Sequence, residues 1–362
     1  MKILHIITVL CIIFFSSSCS RRSMTGLFFR VNTAPVDLNL KGSYSPRESD
    51  EKTKAIVAAA KIFLGSLDDK QKQAATYTFS DNAQRSNWSN FPEGMIPRGG
   101  LKLGELSKEQ RILLDKLMSE IMSEKGVQNI NYQLAAEDTI APSSMLKYGT
   151  QYFYVAFLGE PSNTYPWMFQ FGGHHLGINV TIYGPDTTFS PMLTGGQPVH
   201  IKYKGKDIFI TQEEASAAQA FLDSLTEEQK KIAVRGEEAI DLLLGPGEYG
   251  TVVTAEGIKG SDLTNDQRLL LLKLIKTRLG FINDDDYAAM MATILAELDD
   301  TYFGWWGPQD RLGFAYFRVT GPSLVLEYAP QDDDDAGLIT HVHSMYRNPK
   351  NDYGATWLND KK

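Results

Sequence analysis

The sequence predicts an α+β fold made of two related halves, in which helices precede antiparallel strands in each half. Two pairs of matching blocks indicate the duplication: residues 63–72 match 221–230, and residues 100–117 match 257–274. Nine of the 18 positions in the longer pair are identical, whereas unrelated sequences of this composition share roughly one or two. The two pairs are offset by 158 and 157 residues, so a single duplicated unit accounts for both.

The helices of each half carry signals for where they begin. Ser107 and Thr264 occupy corresponding positions and are residue types that cap helix N-termini. Glu109 and Asp266 follow two residues later, where a negative charge stabilises the first turn. A leucine-rich face follows in both blocks, so we expect two corresponding amphipathic helices.

Aromatic and β-branched segments follow the helices and predict strand pairs. The first half contains "QYFYVAFLG" and "WMFQFGGHHLGINVTIYG", and the second contains "TYFGWWG" and "LGFAYFRVTGPSLVLEYAP". Aligning Phe169 with Phe317 places Asn179 opposite Glu327. We expect the halves, residues 50–208 and 209–362, to pack about a pseudo-twofold axis as one compact unit, with a site between them.

The N-terminus predicts export. Residues 1–19 combine a lysine, a short apolar run and small residues, as a secretory signal does. Cys19 resembles the lipidated cysteine of a lipobox, although ordinary cleavage nearby is the alternative. Residues 20–49 are polar and aperiodic and predict a tether or entry segment. We therefore expect a protein that is lipid-anchored in the cell envelope, facing the periplasm or the exterior, or secreted.

Composition sets further bounds. Of the 362 residues, 43% are hydrophobic and 22% are charged, which is typical of a globular protein. The net charge of -8 argues against a nucleic-acid partner, which requires a basic face. The two cysteines, Cys11 and Cys19, both precede residue 20, so we expect no disulfide in the mature protein.

Four of the six histidines form two groups, which predict a metal or catalytic site. His341 and His343 lie two residues apart in a strand-like segment, so both imidazoles share one face and suit two ligands of one metal. His174 and His175 are adjacent, and neighbouring strand residues point to opposite faces. They cannot both reach one ion unless Gly172 and Gly173 form a bulge or turn.

The metal itself is not determined by this pattern, since imidazoles suit Zn, Cu, Ni and Fe. The alternative is that these histidines are hydrogen-bonded core or surface residues. His200 stands alone after a turn, and we do not assign it to the site.

Charged residues near the histidines are candidates for catalytic groups. Glu327 and Asp352 offer carboxylates as a further ligand or base, and Arg347 offers a guanidinium to orient an anionic substrate. Residues 332–335 are all Asp but lack the spacing of a calcium loop, which is typical of a solvated turn.

Residues 85–100 form a polar and aromatic loop that predicts a pocket wall. Trp88 offers a stacking surface, and Arg98 offers donors for a carboxylate or phosphate. With Asn179, we take them as candidate substrate-binding residues. A packed cap over the core and a structural ion pair are the alternatives.

Several of these motifs together resemble one family. "GEPSNTYPWMFQFGGHHLGIN", "SNWSNFP", "ELSKEQR" and "HVHSMYRNPKNDYG" are similar to the domain of unknown function 3500 family, over roughly residues 51–354. The resemblance implies an exported bacterial protein, and it implies no established activity.

Two functions follow from the sequence as hypotheses. The first is a metal-dependent hydrolase whose histidine-rich site lies between the halves and holds one transition-metal ion. The second is a non-catalytic envelope lipoprotein that binds a saccharide, a peptide or a metal. A purely structural envelope component with buried histidines is a third possibility.

Overall fold

The computed structural model describes residues 36–93, 95–96, 98–140, 146–334 and 336–360. The predicted signal segment with Cys19, and the tether as far as residue 35, lie outside the described residues.

The helices and strands form a mixed α+β fold, which confirms the predicted class, although short strands also lie between the helices and two strand pairs are parallel. Within the described ranges there are ten α-helices, α1 (Glu51–Gly65), α2 (Asp69–Ala75), α3 (Asn82–Arg85), α4 (Lys108–Ile121), α5 (Glu124–Glu137), α6 (Gln212–Asp223), α7 (Glu227–Ala233), α8 (Asn265–Leu279), α9 (Asp284–Ala296) and α10 (Ala355–Leu358). The strands are β1 (Thr76–Tyr77), β2 (Leu101–Lys102), β3 (Tyr154–Leu158), β4 (Trp167–Gly173), β5 (Leu176–Tyr183), β6 (Asp186–Thr188), β7 (Met192–Gly196), β8 (His200–Tyr203), β9 (Lys206–Phe209), β10 (Val234–Gly236), β11 (Ile258–Lys259), β12 (Tyr302–Trp306), β13 (Tyr316–Gly321), β14 (Leu324–Asp333) and β15 (Ile339–Arg347).

The predicted helix starts are confirmed. Ser107 caps α4 and accepts a hydrogen bond from the backbone of Gln110, whose side chain bonds back to the cap residue. Thr264 and Gln267 form the same capping box at α8. These reciprocal bonds satisfy backbone donors that a helix N-terminus otherwise leaves unpaired.

One large mixed sheet organises the molecule. Its main path runs β1-β3-β4-β5-β7-β15-β14-β13-β12-β10, and β2, β6 and β11 pair at its sides. The outer pairs β1–β3 and β10–β12 are parallel, and the pairs between them are antiparallel. Since β7 pairs with β15, the sheet is continuous between the segments that the sequence assigns to separate halves.

The two central hairpins have corresponding registers. In β4–β5, Gln170 pairs with Asn179, and in β13–β14, Arg318 pairs with Glu327. Each hairpin closes through two residues, which are 174–175 in the first and 322–323 in the second.

The sheet packs differently on its two faces. The largest core lies between the sheet and the helices and includes Phe157, Trp167 and Phe303. On the opposite face, a smaller apolar cluster contains Trp88, Ala329 and Met345 and lies partly beneath loops. Side chains alternate along β15, so His343 shares a face with Met345, while Ser344 points toward the helices and bonds to Glu214 of α6.

None of the helices in the described part of the chain has the length and apolar character needed to cross a lipid bilayer.

Candidate metal centre

His174 and His175 are the two residues of the tight turn between β4 and β5. Gly173 pairs with Leu176, so the turn contains nothing else. His175 has a φ of 57°, a left-handed conformation that costs a non-glycine residue about 1 kcal/mol or more. The turn, and not a bulge at Gly172, brings both imidazoles together, with ring centroids 3.8 Å apart.

His341 and His343 lie in β15, and their spacing places both rings on one face, as predicted. Their Nε2 atoms are 3.1 Å apart, and the ring planes are nearly perpendicular, at 88°. This arrangement lets both ring nitrogens face a common point.

The pairing of β7 with β15 brings these two groups of histidines together. His343 pairs with Gly195 of β7, and β7 pairs on its other side with β5. β5 begins directly after His175 and pairs with β7 at Gly177 and Ile178, so His175 approaches β7 from the side opposite to β15. A side chain at Gly195 would meet the backbone of Val342, so glycine at this position allows β7 to lie close to β15 beside His343. The Nε2 atoms of His175 and His341 lie 2.6 Å apart.

His175, His341 and His343 therefore form a group that can hold one metal ion, with ligand atoms all within 4.8 Å of one another. A tetrahedral ion with metal–nitrogen distances of about 2.0–2.1 Å requires its nitrogens to be about 3.4 Å apart. Two of the observed separations, 2.6 Å between His175 and His341 and 3.1 Å between His341 and His343, lie within about 1 Å of that value.

Burial favours the neutral forms of His175 and His343. His175, His341 and His343 are 3%, 9% and 7% exposed. Burial is the main cause that lowers the pKa of His175 and His343 well below its usual value, and the neighbouring histidines lower it further. A neutral imidazole has a free nitrogen lone pair, which is what a metal requires.

Asp332 orients one of the three rings. Its Oδ2 lies 3.1 Å from Nδ1 of His341, so that Nε2 faces the other two histidines. A carboxylate behind a histidine is a common support for a metal ligand. The expectation of a solvated turn is wrong for Asp332, which lies in β14.

The Nδ1 atoms of the other two histidines have no partner in the described part of the chain that fixes where their rings carry the proton. Nδ1 of His175 and of His343 is buried and has no hydrogen-bond partner among the described residues. In a metal-free arrangement, the single lone pair on Nε2 of His341 accepts a hydrogen bond from Nε2–H of one neighbouring histidine. To hold a metal ion, the three rings would turn their Nε2 lone pairs toward it and carry their protons on Nδ1.

His174 turns away from this group toward helix α5. Its Nδ1 lies 2.8 Å from Oε2 of Glu137, and Oε1 of the same carboxyl accepts a hydrogen bond from the backbone of Gly149. Burial raises the pKa of Glu137 to about 8 and lowers that of His174 well below its usual value. Since both shifts favour the uncharged forms, we interpret the contact as a hydrogen bond between neutral groups.

Asn90 lies at the edge of the histidine group. Its Nδ2 is 3.4 Å from Nε2 of His343. Sequence reasoning missed Asn90, Glu137 and Asp332 as site residues. None of them has a diagnostic spacing, because each comes from a different element and reaches the histidines only through the folded chain.

Glu327 lies on the same face of the sheet as His343 but holds a loop. Its carboxylate accepts hydrogen bonds from the backbone of Leu243 and Leu244 and from the hydroxyl of Tyr316. Its catalytic role stays a prediction.

Arg347 and Asp352 form a buried ion pair with each other. Arg347 also donates to the backbone carbonyls of Leu244 and Gly245, and Asp352 accepts from the hydroxyl of Ser190. These bonds connect the end of β15 with two loops. Direct participation of either residue in chemistry stays a prediction.

The three predicted substrate-binding residues line one small cavity beside the histidine turn. Trp88 donates from its indole to the hydroxyl of Tyr353. Asn179 accepts from the side chain of Gln170 and donates to a backbone carbonyl. Arg98 donates to backbone carbonyls of its own loop.

Comparison with known proteins gives one match. A family model described as a protein of unknown function, DUF3500, matches residues 49–355 and confirms the resemblance seen in the sequence motifs. No curated protein and no solved structure matches the chain.

Gly195 provides a test of the junction. A Cβ at this position would lie 2.1 Å from the backbone oxygen of Val342, next to His343. We expect Gly195→Ala to lower the free energy of unfolding by about 2 kcal/mol or more, because backbone must move to relieve the clash. Urea denaturation measures this change.

Gly42→Ala is the matched control, since a Cβ at Gly42 meets nothing within 4 Å. Its free energy of unfolding should change by less than about 0.5 kcal/mol. Equal stability of the two variants would contradict the close approach of β7 to β15 beside His343.

Proposed function

The chain belongs to DUF3500, a family of unknown function, and we propose that it binds one transition-metal ion and acts as a metal-dependent hydrolase. The ligands are Nε2 of His175, His341 and His343. The observation that carries the proposal is the convergence of these three buried ring nitrogens.

The donor set favours a particular class of metal. Three imidazole nitrogens suit Zn, Cu, Ni or Fe, whereas Ca²⁺ and Mg²⁺ prefer oxygen ligands. The supporting carboxylate of Asp332 increases the basicity of His341 as a ligand.

The number of protein ligands supports hydrolysis as the proposed reaction. Three protein ligands leave a fourth position of a tetrahedral ion for water, whose pKa such an ion lowers to about 7. The amide of Asn90 lies at the edge of the same group and is placed to bond a water or substrate oxygen. His174 and Glu137 add a neutral imidazole and carboxyl beside the ligands, which are residue types used in general acid–base catalysis.

The second candidate function is a non-catalytic protein that holds the metal. The observation that favours it is the burial of all four histidines, each 9% exposed or less. Full enclosure suits a structural site, which has four closed coordination positions, better than it suits exchange of substrate.

We also propose that the two halves derive from one duplicated unit. The shared hairpin registers and the capping boxes of Ser107 and Thr264 support this origin. On this view, the turn 174–175 gained histidines that the turn 322–323 lacks. A family alignment in which the two sequence blocks fail to align at one offset would contradict the duplication.

The metal proposal is tested by elemental analysis of the purified protein. We expect about one equivalent of a transition metal in the wild type and its loss in His341→Ala, because one of three ligands is gone. His200→Ala is the matched control, since His200 is an exposed histidine beside Asp207. His174→Ala should keep the metal, because His174 bonds to Glu137 instead.

The proposal fails if the wild type contains no metal, even after incubation with Zn, Cu, Ni and Fe. Equal metal content in His341→Ala and His200→Ala would place the ion elsewhere.

The open position is tested with cobalt. We expect azide to change the visible absorption spectrum of the Co(II)-substituted protein, because an exchangeable water occupies the fourth position. A spectrum that azide leaves unchanged would reject the hydrolase and favour the metal-holding function.

The envelope location is a further proposal, supported by residues 1–19 and by Cys19. We expect Cys19→Ser to move the protein from the membrane fraction to the soluble fraction, because the lipid-bearing thiol is lost. Wild-type protein in the soluble fraction would contradict the lipid anchor.

A further inference from the structure

Helix α5 carries a row of buried polar side chains on the face toward β7 and the 174–175 turn. Asn129, Gln133 and Glu137 follow one another at intervals of four residues and are 8%, 3% and 4% exposed. Residues at this spacing lie on one side of a helix, and a helix face that is buried in a core is usually apolar. Each buried polar group requires a partner, because an unpaired one is costly. The partners of this row therefore indicate what the helix holds in place.

β7 loses its neighbour on one side where it passes the histidines. The pairs of β5 with β7 end at Leu193, because the chain before β5 forms the 174–175 turn. Gly195 lies two residues beyond Leu193 and pairs on its other side with His343. In the described part of the chain, β5 thus offers no partner to the backbone N–H of Gly195.

Gln133 supplies that partner. Its Oε1 accepts from the backbone N–H of Gly195 at 3.2 Å, and the bond is buried. Its Nε2 donates to Oδ1 of Asn129 at 2.5 Å, which fixes the orientation of the amide. Gly195 and Gly196 end β7, and glycine has more backbone freedom than any other residue, so this strand end requires an anchor. Gln133 holds Gly195 from the side opposite to His343.

The next turn of α5 reaches the other part of the histidine group. Glu137 follows Gln133 by four residues and bonds to His174, the neighbour of His175. One helix face therefore holds the turn that carries His175 and also the strand end beside His343. The separation of these two histidines depends on both contacts with α5.

We propose that Gln133 is a positioning residue of the histidine group. By holding Gly195, it keeps β7, and with it β15, at the distance from the 174–175 turn at which the three histidines meet. Loss of this bond would let Gly195 and its partner His343 move relative to the turn. The effect on metal affinity rests on the proposed function, whereas the effect on ring positions does not.

The first test compares zinc affinities, measured by competition with a chromogenic chelator. Gln133→Met keeps the length of the side chain but lacks the amide, and we expect it to weaken zinc binding about tenfold or more, as loss of an outer support of a metal site does. Gln133→Glu keeps an acceptor oxygen and should retain more affinity. Gln267→Met is the matched control, since Gln267 is a buried glutamine whose amide bonds to Ser224 and Gln229. The control should lower the Tm and leave zinc affinity unchanged.

The second test requires no metal. The ring ¹⁵N NMR signals of histidine-labelled, metal-free protein report the contact between Nε2 of His175 and Nε2 of His341, which lie 2.6 Å apart. We expect Gln133→Met to shift these signals and Gln267→Met to leave them in place. Gln133→Asn is shorter by one methylene, places its oxygen out of reach of Gly195 and should act in the same direction. It replaces Gln133→Met if circular dichroism shows that variant to be unfolded.

The outcomes distinguish the positioning role from the proposed function. Ring signals that Gln133→Met leaves unchanged would overturn the positioning role, as would equal weakening of zinc binding in Gln133→Met and Gln133→Glu. Shifted rings with a zinc affinity equal to that of Gln267→Met would overturn the effect on the metal. A wild type that binds none of Zn, Cu, Ni and Fe, with ring signals that shift in Gln133→Met alone, would support the positioning role and overturn the proposed function.

Discussion

The pairing of β7 with β15 is the contact on which the histidine group depends. It joins two chain segments that are far apart in sequence, and its antiparallel register sets Gly195 beside His343. On the helix-facing side, Arg278 of α8 donates hydrogen bonds to the hydroxyl of Thr194 and to the backbone carbonyl of Ser344. Thr194 and Ser344 pair with each other across β7 and β15, next to the pair of Gly195 and His343. A buried arginine thus holds both strands from behind, while the imidazoles project from the other face. Removal of this junction would separate His175 from the two histidines of β15.

Burial of polar groups on both faces of this junction has a cost that the fold must offset. Glu214 of α6 accepts from the hydroxyl of Ser344, and burial raises its pKa. Burial likewise lowers the pKa of Arg278. Apolar residues of similar volume often stabilise a core as well or better. The hydrogen bonds of Arg278 and Glu214 therefore fix the positions of β7 and β15 behind the histidine row.

Local patterns predicted much of the fold and part of the site. The caps at Ser107 and Thr264 and the shared face of His341 and His343 depend on neighbours in sequence, so spacing alone revealed them. The conformation of the 174–175 turn did not follow from spacing, because it requires a histidine in a left-handed conformation. Glu137, Asn90 and Asp332 reach the histidines through tertiary contacts and have no local signal. Glu327 and Arg347 are close to the histidines in sequence or strand order, yet their bonds hold a loop. The duplication and its pseudo-twofold axis remain predictions.

Charge balance connects the histidine group with Arg98. Three neutral imidazoles do not offset the charge of a divalent cation, and Asp332 supplies one carboxylate behind His341. Arg98 adds a further positive charge nearby, and Glu93 is already bonded to Lys102 and Tyr154. A low-dielectric interior makes such an excess of positive charge expensive. With a divalent ion bound as proposed, an anion from outside the chain would offset this excess charge. On the proposed function, a site of this charge would favour the negative charge that develops during hydrolysis, because fixed positive charge in a low-dielectric site stabilises it.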